Sequence, residues 1–73
     1  MEFKHATLFE NIQVDGISQN FDKVMILNRP TTGQSMVTDL TKQEDTLFIT
    51  VTKDKRDFKV AVPWVHVKVA TLK

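Results

Sequence analysis

The last third of the chain, Leu47 to Lys73, restricts the fold more than any other part. A strictly alternating hairpin there runs into Pro63-Trp64, and a second alternating run follows. Successive side chains of a strand point to opposite faces, so a slip of one residue in the pairing turns a whole apolar set outward. Leu47, Ile49 and Val51 share one face, and Phe58, Val60 and Val62 share one face of the next run. Only pairings of the type Val51 with Phe58, Ile49 with Val60 and Leu47 with Val62 bring both sets to the same side. That register leaves Lys53-Asp54-Lys55-Arg56 as the turn, closed over two or four residues. On the opposite face Thr52 lies across from Asp57, Thr50 from Lys59 and Phe48 from Ala61. Phe48 is thus an aromatic on the polar side of its own hairpin.

After Val62 the apolar phase moves to odd positions, with Val65, Val67 and Val69 alternating with His66, Lys68 and Ala70. Proline cannot donate to a ladder, so Pro63 is expected to mark a break, with a tight turn over Pro63 to His66 and then a final strand. A hydrophobic residue, a proline, a short turn and a valine-led last strand together resemble the end of an SH3-like or Sm-like small β-barrel. The resemblance spans Phe58 to Leu72 and implies a topology. Such barrels bind proteins, RNA or DNA, so it selects no function.

The earlier segments carry mixed signals. Phe3 to Val14 reads as a strand or as a short helix using Leu8, Phe9 and Ile12, and Asp15-Gly16 favours the strand by supplying a turn. Asn20 to Leu27 fits a helix with Phe21, Val24 and Met25 on one face, or a buried strand stopped by Asn28-Arg29-Pro30, and the strand is preferred. Arg29 to Ser35, with Pro30 and Gly33, reads as a flexible loop. Met36 to Gln43 is open between a helical turn or two, with Met36, Val37 and Leu40 inward, and a short strand. The expected fold is mainly β, or α+β with one short helix: a small antiparallel sheet or SH3-like barrel, forming a single domain over the 73 residues.

The residue inventory narrows function by exclusion. Without cysteine there are no disulfides, thiolate nucleophiles or cysteine-based zinc sites, and an intracellular setting is expected. The longest apolar run, Val60 to Val65, is far short of the ~20 residues that span a bilayer. Met1 to His5 lacks the layout of a signal peptide. His5 and His66 are the only histidines, no serine sits in a nucleophile elbow, and Glu44 and Asp45 would point to opposite sides of a strand. Thr31 to Ser35 lacks the lysine and second glycine of a phosphate-cradling loop. No enzymatic activity, metal or cofactor is therefore expected.

Binding remains. A net charge of +1 argues against a domain whose main task is coating nucleic acid. Protein interfaces concentrate energy in a few aromatic and arginine anchors and need no such excess. The candidate partner-binding residues are Phe48, Lys53, Lys55, Arg56, Lys59 and Trp64. The turn is either a solvated tip or part of a binding face, and Trp64 either anchors a partner or plugs one end of the barrel. In size and general character the chain is similar to the small regulators that bacteriophages use to capture host machinery. Among these is the Xanthomonas phage type, which binds host RNA polymerase, inhibits initiation and promotes readthrough of terminators. The similarity carries no motif and transfers no residue. It implies a non-enzymatic regulator in the cytoplasm of a bacterial host, as a monomer or small homo-oligomer. The alternative is a small single-stranded nucleic-acid binder that stacks bases on Phe48 beside Thr50 and Lys59.

Overall fold

The hairpin register derived from alternation is the one the chain adopts. In the computed structural model, Leu47 pairs with Val62, Ile49 with Val60 and Val51 with Phe58, while Phe48, Thr50 and Thr52 face Ala61, Lys59 and Asp57. Lys53 pairs with Arg56, so the turn closes over two residues, Asp54 and Lys55, at φ 52° and 63°. Positive φ at both centres matches the right-handed twist of the flanking strands.

The structure describes residues 1–13, 20–21, 23–29 and 35–73. Its elements are β1 (Phe3–Leu8), β2 (Ile12–Gln13), β3 (Asn20–Phe21), β4 (Val24–Ile26), β5 (Met36–Gln43), β6 (Thr46–Lys53), β7 (Arg56–Pro63), a 3-10 turn (Trp64–His66) and β8 (Val67–Leu72). The domain is mainly β, and the strand alternative holds at every ambiguous segment among the described residues. The Asp15-Gly16 turn and most of the loop expected over Arg29 to Ser35 lie outside the described residues.

Two three-stranded antiparallel sheets, ordered β4-β1-β8 and β5-β6-β7, enclose the core, and β2 and β3 form a small pair of their own. Backbone bonds tie the two sheets together: Lys42 N–H donates to Met1 O at 2.8 Å, and Asn28 N–H to Val37 O at 2.7 Å. The 3-10 turn carries the chain from β7 back to β8 beside β1. A Cα radius of gyration of 11.1 Å is that of one packed domain of this length, about 11 Å.

Leu8, Met25, Val37, Leu40, Leu47, Ile49 and Val51 are all at or below 1% exposure, and Phe3, Ala6 and Val62 complete the core. Each large side chain so buried contributes ~1.5–3 kcal/mol. Two bulges interrupt the alternation of the strands feeding this core, and the one in β5 explains why 36–43 looked partly helical. The β5–β6 register skips between Val37 and Asp39, so Val37 and Leu40, three residues apart, both point inward. The β1–β8 register likewise skips between Phe3 and His5, placing Phe3 and Ala6 on one face. An extra residue in one strand shifts the two-residue period and produces the spacing of a helical stripe.

The break expected at Pro63 is present: Pro63 is the last residue of β7, paired with Thr46, and the 3-10 turn Trp64–His66 then leads into the final strand. Two expectations need correction. Val65, Val67 and Val69 do not share an inner face. Val65 is 80% exposed in the 3-10 turn and Val69 is 51% exposed, while Val67 and Ala70 pack on the core. The register shift opposite Thr7 and Leu8, which pair with Val69 and Val67, moves the phase at Lys68. Finally, the first strand ends at Leu8, leaving Phe9 exposed rather than central to a longer strand.

Candidate functional site

The outer face of the β5-β6-β7 sheet carries the site. Once the bulge has turned Leu40 inward, Asp39, Thr41 and Gln43 must face outward with Phe48 and Thr50 of β6 and Lys59 of β7. Cross-strand neighbours form two adjoining rows, Asp39–Thr50–Lys59 and Thr41–Phe48–Ala61. The six side chains Asp39, Thr41, Gln43, Phe48, Thr50 and Lys59 line an open depression of about 210 Å³. Phe48 is 40% exposed, and the amino-terminal strand does not cover it.

Polar contacts hold this face in one arrangement. The Thr41 hydroxyl lies 3.0 and 2.9 Å from the two carboxylate oxygens of Asp39 and donates to them. Nearer the hairpin tip, Thr38 and Thr52 hydroxyls are 3.0 Å apart, and Thr52 Oγ1 donates to Asp57 Oδ1 at 2.7 Å. Each hydroxyl has one proton, so with Thr52 donating to Asp57, Thr38 donates to Thr52. The Asp57 carboxylate is thereby engaged beside Lys59. Among the described residues Lys59 makes no ion pair, and the pair that does form, Lys73 with Glu2, lies elsewhere.

The sequence-derived candidates do not converge on one spot. Phe48 and Lys59 meet in the depression. Lys53, Lys55 and Arg56 sit at the hairpin tip, where Lys55 and Arg56 are exposed and Lys53 is half-buried. Trp64 lies at the opposite end of the hairpin. Its backbone N–H donates to Asp45 O at 2.7 Å, its ring stacks on Phe3 with centroids 5.5 Å apart, and Lys42 Nζ lies 4.9 Å from its centroid. Trp64 is half-buried and packs against the core.

Asp39, Thr41 and Gln43 escaped the sequence reading. Their alternation around Leu40 was the available signal, but it has meaning only once 36–43 is known to be a strand.

Chemically the face offers an aromatic surface, hydroxyls, an amide, one carboxylate and one ammonium. No three His, Cys, Asp or Glu side chains are grouped to hold a metal ion among the described residues. His5 Nε2 lies 3.1 Å from Thr7 Oγ1 on the other sheet, and His66 is exposed in the 3-10 turn. No helix among the described residues is long and apolar enough to cross a membrane. No family model, no curated protein and no solved structure matches the chain.

Proposed function

We propose that this chain is a non-enzymatic protein-binding regulator that docks through the outer face of β5-β6-β7. The observation that supports it is Phe48, exposed at the centre of a depression whose walls are fixed by cross-strand pairing and by the Thr41–Asp39 bonds. An aromatic seated among polar groups on a rigid sheet has the character of an interface anchor ringed by hydrogen-bonding residues. The partner proposed is a host protein machine, RNA polymerase first, in the cytoplasm of a bacterial host. Binding there would act by occupying a subunit surface, so as to inhibit initiation or promote readthrough of terminators. Size and general character are the support for that partner.

The single-stranded nucleic-acid alternative draws on the same Phe48 and Lys59. The carboxylate of Asp39 in the same depression opposes it, because a phosphate backbone brought to Lys59 also approaches that negative charge. Capture from a bacterial lysate, with and without nuclease, separates the two. Retention of RNA polymerase subunits at moderate salt after nuclease supports the regulator. Loss of all bound protein after nuclease, with direct binding to DNA or RNA at low salt, replaces it with the nucleic-acid alternative.

A further inference from the structure

We infer that the depression takes an arginine of a protein partner, its guanidinium laid on Phe48 with N–H groups toward Asp39, together with a carboxylate of the same partner at Lys59. The inference rests on the protein-binding reading and specifies the chemistry of what is bound.

The sheet holds the two charges of the depression apart. Asp39 and Lys59 lie in one cross-strand row with Thr50 between them. Neighbouring strands are ~4.8 Å apart, which sets the two backbones about 9.6 Å apart, and among the described residues neither side chain forms an ion pair. Asp57, the outward neighbour of Lys59 on β7, accepts instead from the Thr52 hydroxyl at 2.7 Å. The depression therefore offers one negative and one positive group on opposite sides and no net charge. Its complement is a partner surface that carries both signs, with the positive group on the β5 side.

The β5 side also decides which cation. The Thr41 hydroxyl donates across both oxygens of Asp39, at 3.0 and 2.9 Å, and its single proton leaves most of the carboxylate's roughly four lone-pair sites open. Thr41 is the cross-strand neighbour of Phe48, so the bonds that draw Asp39 toward Thr41 also bring its carboxylate to the Phe48 row. A half-buried carboxylate thus stands beside an aromatic that is 40% exposed. A planar guanidinium can lie on the ring while its edge N–H groups donate to the carboxylate, whereas an ammonium is a strongly hydrated point charge without that geometry. Gln43, on the same strand, adds an amide oxygen as a further acceptor.

Other occupants leave one of these groups unmet. An aliphatic anchor would strip water from Asp39 and Lys59 and pair neither. A nucleic acid brings phosphate to Lys59 and only repulsion to Asp39. An arginine alone satisfies Asp39 but is opposed by Lys59, which is why the partner's own carboxylate belongs to the inference. In an extended segment, residues two apart share a face at a spacing of about 6.8 Å, and the long side chains of arginine and Lys59 span the remainder.

The test uses the full chain and the capped pentapeptide Gly-Arg-Ala-Glu-Gly, titrated while backbone amide resonances are followed. The amides of Thr41, Phe48, Thr50 and Lys59 are expected to shift together. Lysine in place of the peptide's arginine should weaken binding about two- to fivefold, the scale of an exposed cation–π contact. Phe48→Ala and Asp39→Asn should each weaken it by at least as much; asparagine still accepts from Thr41, so the wall of the depression is kept. Lys59→Gln should weaken binding of this peptide and strengthen that of a version with glutamine for glutamate, because the repulsion of the arginine is relieved. Equal binding of the arginine and lysine peptides, an unchanged affinity for Asp39→Asn, or no shift at these residues up to about 10 mM peptide would overturn the inference. Shifts there that grow with protein concentration alone would overturn it in favour of Arg56 of a second copy. If it is overturned while RNA polymerase capture survives nuclease and depends on Phe48, the protein-binding reading stands. If capture is lost with nuclease, both fall.

Discussion

Replacing Lys55 with glycine should make the domain more stable, although it deletes a charged side chain and adds no contact. Lys55 holds φ 63° in the β6–β7 turn, directly after Asp54 at φ 52°. For an L-residue the left-handed region costs ~1–2 kcal/mol, because Cβ crowds the following carbonyl. Aspartate offsets part of this by local hydrogen bonding, whereas lysine has no such recourse. Glycine removes the crowding but loses about 0.5–1 kcal/mol more conformational entropy on folding. The side chain of Lys55 is exposed and makes no ion pair among the described residues, so little else is lost. The net gain is about 0.5–1 kcal/mol, or a rise of roughly 2–8 °C in Tm for a domain of this size. Trp64, packed on Phe3, gives a fluorescence signal for thermal and urea unfolding. Lys53→Gly is the control: it sits in the ladder, paired with Arg56, and should lower stability by about 0.5–1 kcal/mol. An unchanged or lowered midpoint for Lys55→Gly would refute the turn geometry and, with it, the β6–β7 register that the turn sets.

Other substitutions probe the packing and the site. Thr41→Val keeps the β-branched shape but removes the hydroxyl that donates to Asp39; in this half-buried setting a loss of about 1 kcal/mol is expected in the urea midpoint. Trp64→Ala should cost about 2 kcal/mol, below the ~3–5 of a fully buried aromatic, and Trp64→Phe should cost less while leaving partner capture intact. Glu2→Gln removes the ion pair with Lys73, whose side chains are 62% and 57% exposed, and should change stability by less than about 0.5 kcal/mol.

The β6–β7 hairpin was legible residue by residue because alternation, a charged turn and apolar sets of equal length all pointed to one register. The strands β1 and β5 were not, and the reason is local. In β5 the bulge puts Val37 and Leu40 on one face three residues apart, as a helix would, whereas the helical spacing of Leu8, Phe9 and Ile12 runs past the end of β1 at Leu8, through exposed Phe9, into the separate strand β2. The packing of Trp64 depends on Phe3 and Lys42, which are far away in sequence and reach it only through the folded sheet. The candidate site was half visible for the same reason. Phe48 and Lys59 belong to one hairpin and could be placed together, whereas Asp39, Thr41 and Gln43 join them across β5, whose phase the bulge had concealed.

The most direct test of the account is the retention of RNA polymerase subunits, after nuclease and at moderate salt, by the protein carrying Phe48→Ala. Phe48 is 40% exposed, so its truncation should leave the fold intact by circular dichroism. If the outer face of β5-β6-β7 is the docking surface, capture falls at least about tenfold, the scale of an interface anchor worth 1.4 kcal/mol or more. Capture equal to that of the unsubstituted protein, with the variant folded, would contradict a docking surface centred on Phe48.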